Sequence, residues 1–421
     1  MKIVQVNTFP NKATGSIMMN IHKLLIENGH ESYVVWGRGR KPENKYEIKM
    51  NNDFGVRVHG VYTRLTDRTG FASTGATKRL LKRLDEIKPD IIHLHNLHGY
   101  YINIKLLFNF IRIRQIRVVW TLHDCWAFTG HCAYFDMCGC KKWKTGCNHC
   151  EQLSTYPSSL LADSSCTNWL EKKELTYKQN LTIVTPSEWL HSQVEESFLK
   201  DYLCKTIYNG IDLDLYGPLE EPGLFEKVKT KYGLDSRPII LGVASEWTKR
   251  KGLDDFIVLH NMMSQQVQFV VVGVTKAQKN RLPKGLIGIT RTENIEELCQ
   301  LYSIADVFFN PTYEEIFGMV NLEAMACGTP VITYDSGGSP ETIRNPQIGR
   351  IIKKDSPSKV NFDIVRNTIS EMMDKVYFCN RFQGKEYNHI SHFCKKNAEY
   401  FDKEKQLKTY IDLYEFIYNQ G

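Results

Sequence analysis

Twice along this chain, short apolar runs rich in β-branched residues alternate with amphipathic helical stretches, an order that leads to parallel sheets flanked by helices. In the first half Met1–Val6 reads as a strand, Ser16–Asn28 as a helix and Glu31–Trp36 as a second strand. Ile91–His95 and Val118–Leu122 are further strands, with a helix over Ile102–Ile111 between them, and Leu181–Thr185 runs into a helix that Ser187 is placed to cap. A turn at Asn209–Asp212 interrupts the pattern, which then restarts. Strands are expected at Pro238–Val243, Val267–Val272, Val307–Asn310 and Pro330–Tyr334, and helices at Leu253–Met263, Ile295–Tyr302 and Val320–Cys327. Phe393–Asn419 reads as one or two helices with no strand after them. Because 421 residues exceed what one hydrophobic core sustains, the expectation is an α/β protein of two Rossmann-like doubly wound domains. Residues 1–208 form one and 209–395 the other, with a final helical segment 396–421.

Charge and cysteine usage narrow the class. With 42% hydrophobic and 24% charged residues the chain is expected to fold throughout. Its net charge of +7 is uneven: residues 1–205 carry 28 Lys and Arg against 19 Asp and Glu, the remainder 26 against 28. The densest basic stretch runs through Lys78, Arg79, Lys82, Arg83 and Lys88 to Lys105, Arg112, Arg114 and Arg117. It is either a solvated helix face or a patch for anionic phospholipid or a pyrophosphate-bearing acceptor. No nucleic-acid-binding motif accompanies it. Met1–Phe9 lacks the features of a secretory signal, and Ile102–Ile111 is broken by Asn103, Lys105 and Asn109, so a soluble or peripheral cytoplasmic protein is expected.

Twelve cysteines in an intracellular chain point to metal ligands or buried thiols rather than disulfides, and six lie between Cys125 and Cys150. In Cys132-x5-Cys138-x-Cys140-x6-Cys147-x2-Cys150, a structural zinc site of Cys132, Cys138, Cys147 and Cys150 is the expected staple of insert 125–150. Cys140 rivals Cys138, and unliganded thiols are the alternative.

The densest chemical information lies in Tyr313 to Pro330. Pro311-Thr312 leaves a strand, Gly318 can open a helix, and Glu323 falls within that helix eight positions after Glu315. Free N–H groups at such a helix start suit a diphosphate. A carboxylate before it can accept hydroxyls of one sugar, and one inside it those of another. A solvated amphipathic helix is the bland alternative. As a whole, Glu315-Ile316-Phe317-Gly318-Met319-Val320-Asn321-Leu322-Glu323-Ala324-Met325-Ala326-Cys327-Gly328-Thr329-Pro330-Val331 resembles the E-x7-E signature of retaining glycosyltransferases of family 4, with Ile316 where Gly is common. Ser336-Gly337-Gly338-Ser339-Pro340-Glu341 is similar to that family's G-G-x-P-E turn, and Lys251-Gly252 to the segment whose lysine neutralises the donor diphosphate. Ala244-Ser245 stands where the family usually has Gly-Arg, and Arg250 is the substitute guanidinium. His123-Asp124 resembles the H-D segment beside the transferred sugar, and Gly15 stands where the first β-to-α turn approaches the donor.

The resemblance implies a GT-B enzyme whose two domains face a central cleft, the first on the acceptor side and the second on the nucleotide side. It implies retention at the anomeric carbon without a metal clamp or other cofactor. His123, Glu315 and Lys251 are the expected catalytic residues, with Glu315 positioning rather than attacking. Gly15, Arg250, Lys251, Glu315, Phe317, Gly318, Met319, Val320 and Glu323 are expected around the donor, and the last helix is expected to return to the first domain. The Cys-rich insert looks like that of bacterial enzymes building O-antigen, capsule or exopolysaccharide. The acceptor would then be a lipid-diphosphate-linked saccharide at the inner face of the membrane. Trp126, Phe128, Tyr134, Phe135 and Trp143 either stack on a sugar or pack around the metal. The competing readings are a nucleotide-sugar 2-epimerase of the same fold and a non-catalytic sugar- or nucleic-acid-binding protein.

Overall fold

The computed structural model describes residues 1–219, 223–382 and 384–420. It divides into two compact units: Met1–Tyr208 with the segment from Gln406 onward, and Asn209–Lys405. The first unit contains a seven-stranded parallel sheet of β1 (Lys2–Asn7), β2 (Glu31–Trp36), β3 (Glu47–Lys49), β4 (Ile91–Leu94), β5 (Arg117–Thr121), β6 (Leu181–Thr185) and β7 (Leu203–Thr206). They lie in the order β3-β2-β1-β4-β5-β6-β7. Ile3, Val4, Val6, Ile92 and Ile183 are wholly buried, as expected of strands covered on both faces. The order reverses direction between β1 and β4, and such a switch point opens a crevice beyond the strands' carboxyl ends. The register pairs Val6 with Leu94 and Leu94 with Trp120, so β1, β4 and β5 deliver Asn7, His95 and Thr121 to the same edge.

The last helix, Lys403–Asn419, buries Leu407, Tyr410, Ile411, Leu413, Tyr414 and Ile417. They share one core cluster with Ile3, Ile91, Val119 and Val184 of the first sheet. The segment expected to begin at 396 belongs to this unit only from Gln406. Asn397 lies in the second unit, where its side chain accepts from Arg344 N at 3.1 Å and donates to Thr342 O at 2.8 Å.

The second unit repeats the design with six strands: β8 (Ile239–Val243), β9 (Gln268–Val272), β10 (Ile287–Ile289), β11 (Val307–Asn310), β12 (Val331–Tyr334) and β13 (Gly349–Ile352). The order is β10-β9-β8-β11-β12-β13, and all pairs are parallel. Its switch point lies between β8 and β11. Four strands went unread in the sequence, β3, β7, β10 and β13, and they are the edges of the two sheets. Among the described residues no helix is long and apolar enough to cross a membrane.

Candidate active site

In the second unit the switch point gathers the loop after β8 and the loop after β11. Lys249–Lys251 makes a short turn that ends at Gly252, whose φ is +74° and where a Cβ would lie 2.4 Å from Pro311 O. Only glycine allows the two loops this approach. Arg250 O accepts from Tyr313 N at 2.8 Å, and Arg250 Nη1 donates to Glu314 O at 2.9 Å. Lys251 Nζ thereby reaches Glu315 Oε2, and Glu315 Oε1 accepts from Ile316 N at 3.1 Å. Burial raises the Glu315 carboxyl, but Lys251, Arg250 and the Ile316 N–H outweigh it and hold the group below the usual carboxylate range. The loop is braced from beneath, where Tyr313 and Tyr334 both donate to Asp255 Oδ2, at 2.8 and 2.7 Å.

Gly318, at φ +96°, opens the helix Met319–Ala326, and no side chain caps it. The first N–H groups of such a helix lack intrahelical partners. Ser336 and Ser339 carry buried hydroxyls without a partner, and Ser339 Oγ lies 3.0 Å from where a Gly318 Cβ would stand. Gly337 has no room for a side chain because its Cβ would fall 1.6 Å from Glu315 O. The G-G-S-P-E turn thus packs directly on the Glu315 loop. Open N–H groups, an unpartnered hydroxyl and two bases form an anion cradle. Glu323 sits on the same helix and accepts from Tyr302 OH at 2.9 Å. Burial lifts its carboxyl above the usual range, against the hydroxyls of Tyr302 and Tyr216. Met319 and Val320 are half-buried. The Phe317 ring is buried and packs 5.5 Å from that of Phe401, leaving chiefly its backbone to a ligand.

In the first unit β4 and β5 carry a histidine network to the switch-point edge. Gln5 Nε2 donates to Met18 O at 3.2 Å, which turns Gln5 Oε1 towards His95 Nε2 at 3.3 Å. An amide oxygen only accepts, so His95 carries its proton on Nε2 and its Nδ1 is an acceptor. The 3.0 Å contact between His95 Nδ1 and His123 Nε2 is therefore donated by His123. Burial pushes His123 down to about 4 against the pull of Asp124, so at neutral pH it is uncharged with a lone pair on Nδ1. Asp124 is engaged by His98 Nε2 at 2.7 Å and Trp126 N at 2.9 Å. Below them, fully buried His93 is held by Tyr414 OH at 2.6 Å and Thr121 Oγ1 at 2.8 Å. A small depression is lined by His95, His98, Trp120, His123 and Asp124.

Gly15 lies inside the helix Ala13–Glu27 rather than in the turn before it. A Cβ there would fall 2.3 Å from Phe9 O, so its absence lets the β1 loop pack on the helix. The four expected sulfurs of the insert take part in hydrogen bonds. Cys132 and Cys150 are hydrogen-bonded thiols, Cys147 Sγ accepts from Gly130 N at 3.2 Å, and exposed Cys138 donates to Phe135 O at 3.2 Å. Among the described residues no three His, Cys, Asp or Glu side chains are grouped to hold a metal ion. As a tetrahedral set these four do not fit, with Cys138 the outlier. Lys172, wholly buried, donates instead to Trp126 O at 2.7 Å and Thr129 O at 3.0 Å and lies 3.5 Å from the Trp126 ring centroid. Phe135 stacks on Trp143 in the core with Phe128 packed against both, and Trp126 is buried too, so these four rings pack rather than face a sugar. Sequence reasoning missed Gln5, Tyr216 and Tyr302, which carry no motif. Ser339 stood in a quoted turn and was read there only for its neighbours' backbone.

Residues 15–215 match the model of Glycosyltransferase Family 4, and residues 225–366 that of Glycosyl transferases group 1. WcaC of Escherichia coli (strain K12), named for glycosyl transfer in colanic acid biosynthesis, is 28% identical over 233 residues, 51% of this chain and 55% of that protein. A glycogen synthase of Streptococcus pneumoniae (strain ATCC 700669 / Spain 23F-1) is 26% identical over 301 residues, 63% of this chain and 61% of that protein. The chain thus spans less than two thirds of either relative. Anabaena HepE, solved in complex with UDP and glucose, has a TM-score of 0.64 at 16% identity over 99% of both chains, a likeness of fold.

Proposed function

Because the chain joins a family 4 glycosyltransferase domain to a group 1 domain in the GT-B fold, we propose that it transfers a sugar, with retention, from a UDP- or GDP-sugar to a lipid-diphosphate-linked saccharide. The product would belong to a bacterial surface polysaccharide. The observation that carries this reading is the cradle around Gly318. Lys251 and Arg250 neutralise the diphosphate as the sugar leaves, together with the N–H groups of Met319 and Val320 and the Ser339 hydroxyl, which is electrostatic stabilisation already in place. Glu315, ionised beside Lys251, accepts hydroxyls of the transferred sugar. Glu323 accepts the ribose hydroxyls. His123, uncharged, accepts a hydrogen bond at Nδ1 beside the reacting sugar. The name of WcaC supports the surface-polysaccharide setting.

Thermal-shift titration of the protein against UDP-, GDP- and other activated sugars, with Glu323→Ala alongside, tests the donor site. Stabilisation by one nucleotide class that the variant loses is the expected result; no shift from folded protein overturns it. The glycogen synthase relatives favour a second reading, in which the acceptor is a soluble glucan. Transfer to maltooligosaccharides but not to lipid-linked saccharides decides for it. A 2-epimerase would instead alter the nucleotide-sugar without any acceptor.

A further inference from the structure

The helix Asp53–Thr66 buries one side and exposes an apolar stripe on the other. One side faces the first unit's interior through Val56, His59 and Thr63. The other presents Phe54, Val58, Val61, Tyr62 and Leu65, which are 74%, 53%, 57%, 38% and 47% exposed. At about 3.6 residues per turn these five positions form one continuous stripe. Where the helix ends, Leu160 N donates to Arg64 O at 2.7 Å. That bond brings a second element with two further open side chains, Leu160 and Leu161, 73% and 79% exposed. Contiguous exposed apolar patches of this kind mark interaction surfaces.

Charge identifies the partner. Arg57 and Arg64, seven residues apart and so two turns along one edge of the stripe, are exposed, and among the described residues neither has an ion-pair partner. Three members of the basic run expected to meet phospholipid are engaged within the protein. Arg83 pairs with Glu86 at 2.7 Å, Arg114 with Asp85 at 2.8 Å, and Arg112 donates to the carbonyls of Glu174 and Leu175, both at 3.1 Å. An apolar stripe with a tyrosine and an edge of free guanidinium groups matches an anionic bilayer surface: acyl chains accept the stripe, and headgroup phosphates accept the arginines. We propose that Asp53–Thr66 and Leu160–Leu161 dock the first unit on the surface of a membrane containing anionic phospholipid. The docking does not depend on the reading of the sugar-transfer chemistry.

Flotation of the full chain with vesicles of phosphatidylcholine, with and without phosphatidylglycerol, tests it. The native chain is expected to float with the phosphatidylglycerol vesicles and to be released by high salt. Val58→Glu with Leu65→Glu is expected to weaken this binding at least about tenfold, since it places charge in the acyl boundary. Arg57→Ser with Arg64→Ser is expected to weaken it about thirtyfold and to abolish the preference for phosphatidylglycerol, from the loss of two surface cations. All four positions are exposed, and unchanged thermal unfolding verifies that both variants fold. Failure of the native chain to bind either vesicle overturns the proposal, as does binding that both variants retain. So does a native chain that is dimeric without vesicles and monomeric as Val58→Glu with Leu65→Glu, which would assign the stripe to a second copy.

Discussion

In the first unit burial acts mainly on imidazoles, whereas in the second it acts mainly on carboxyl groups. Burial pushes His59 and His123 down to about 4 and carries His93 and His95 well below their ordinary value. In the second unit burial lifts Asp255, Asp306 and Glu323 above the carboxylate range. Glu315 goes the other way because it has a lysine and an arginine beside it. The same physical force, desolvation, leaves one unit with neutral imidazoles and raises the acids of the other except where a cation is supplied. A developing phosphate charge can therefore be met in the second unit, while a hydroxyl approaching the first meets uncharged imidazoles beside the ionised Asp124.

Removing the cation should give the largest effect. Lys251→Ala is expected to lower kcat for sugar transfer by about 10²–10³-fold while folding is kept, with Lys251→Arg retaining more; steady-state rates check it, and a loss below about tenfold would show that charge in the second unit is not what matters. Acid should separate the two units next. A histidine whose folded pKa is depressed takes up its proton first in the unfolded chain, so stability is lost as pH falls from about 6.5 towards 4. Each of His59 and His123 would cost about 3 kcal/mol across that window. Asp255, Asp306 and Glu323 act oppositely, since their raised pKa values contribute stability that is present below the unfolded pKa and lost as pH rises. Calorimetry from pH 7 to pH 5 should therefore show the first unit's transition falling faster, and parallel shifts would break the comparison.

A smaller effect sharpens the histidine side. Tyr414→Phe leaves His93 Nδ1 buried without its partner at a cost of about 1–3 kcal/mol, measured by denaturant unfolding of the first unit; a neutral result would mean that the network tolerates a vacancy. In the same network Gln5→Leu should release the His95 tautomer, visible as a change in the ring nitrogen shifts of His95 and His123. The smallest change is expected in the insert. Cys138→Ser, at an exposed position, should stay within about 0.5 kcal/mol, while Cys132→Ser in the interior costs more.

The central strands of both sheets were legible because strands covered on both faces read as continuous apolar runs, Ile91–Leu94 and Val307–Asn310 among them. The edge strands Glu47–Lys49 and Ile287–Ile289 have three residues each, too short to show a period. Glu315 and Glu323 were found through their setting at a helix start, since a local motif records what happens within one turn and its flanks. The partners that tune them were not legible. Tyr302 reaches Glu323 from 21 residues away and Gln5 reaches His95 from 90, and no spacing rule links such pairs before the sheet order is known. The zinc expectation drew on cysteine spacing, on the affinity of thiolates for zinc and on a long insert in need of a staple; of its four cysteines Cys138 is the exposed one, and Cys140 is its rival.

Tyr410 and Tyr414 belong to the last helix, yet they complete the core and the histidine network of the first unit. Of the two units, the one made first is consequently the one completed last. On the ribosome residues 1–208 must wait, with Ile91, Val119 and His93 uncovered, while the whole of Asn209–Lys405 is made. At ordinary translation rates that interval is about 10–40 s. The second unit is contiguous and can fold within it. A stop near residue 400 would thus give a protein with its second unit intact and its older half open, a good substrate for chaperones and proteases.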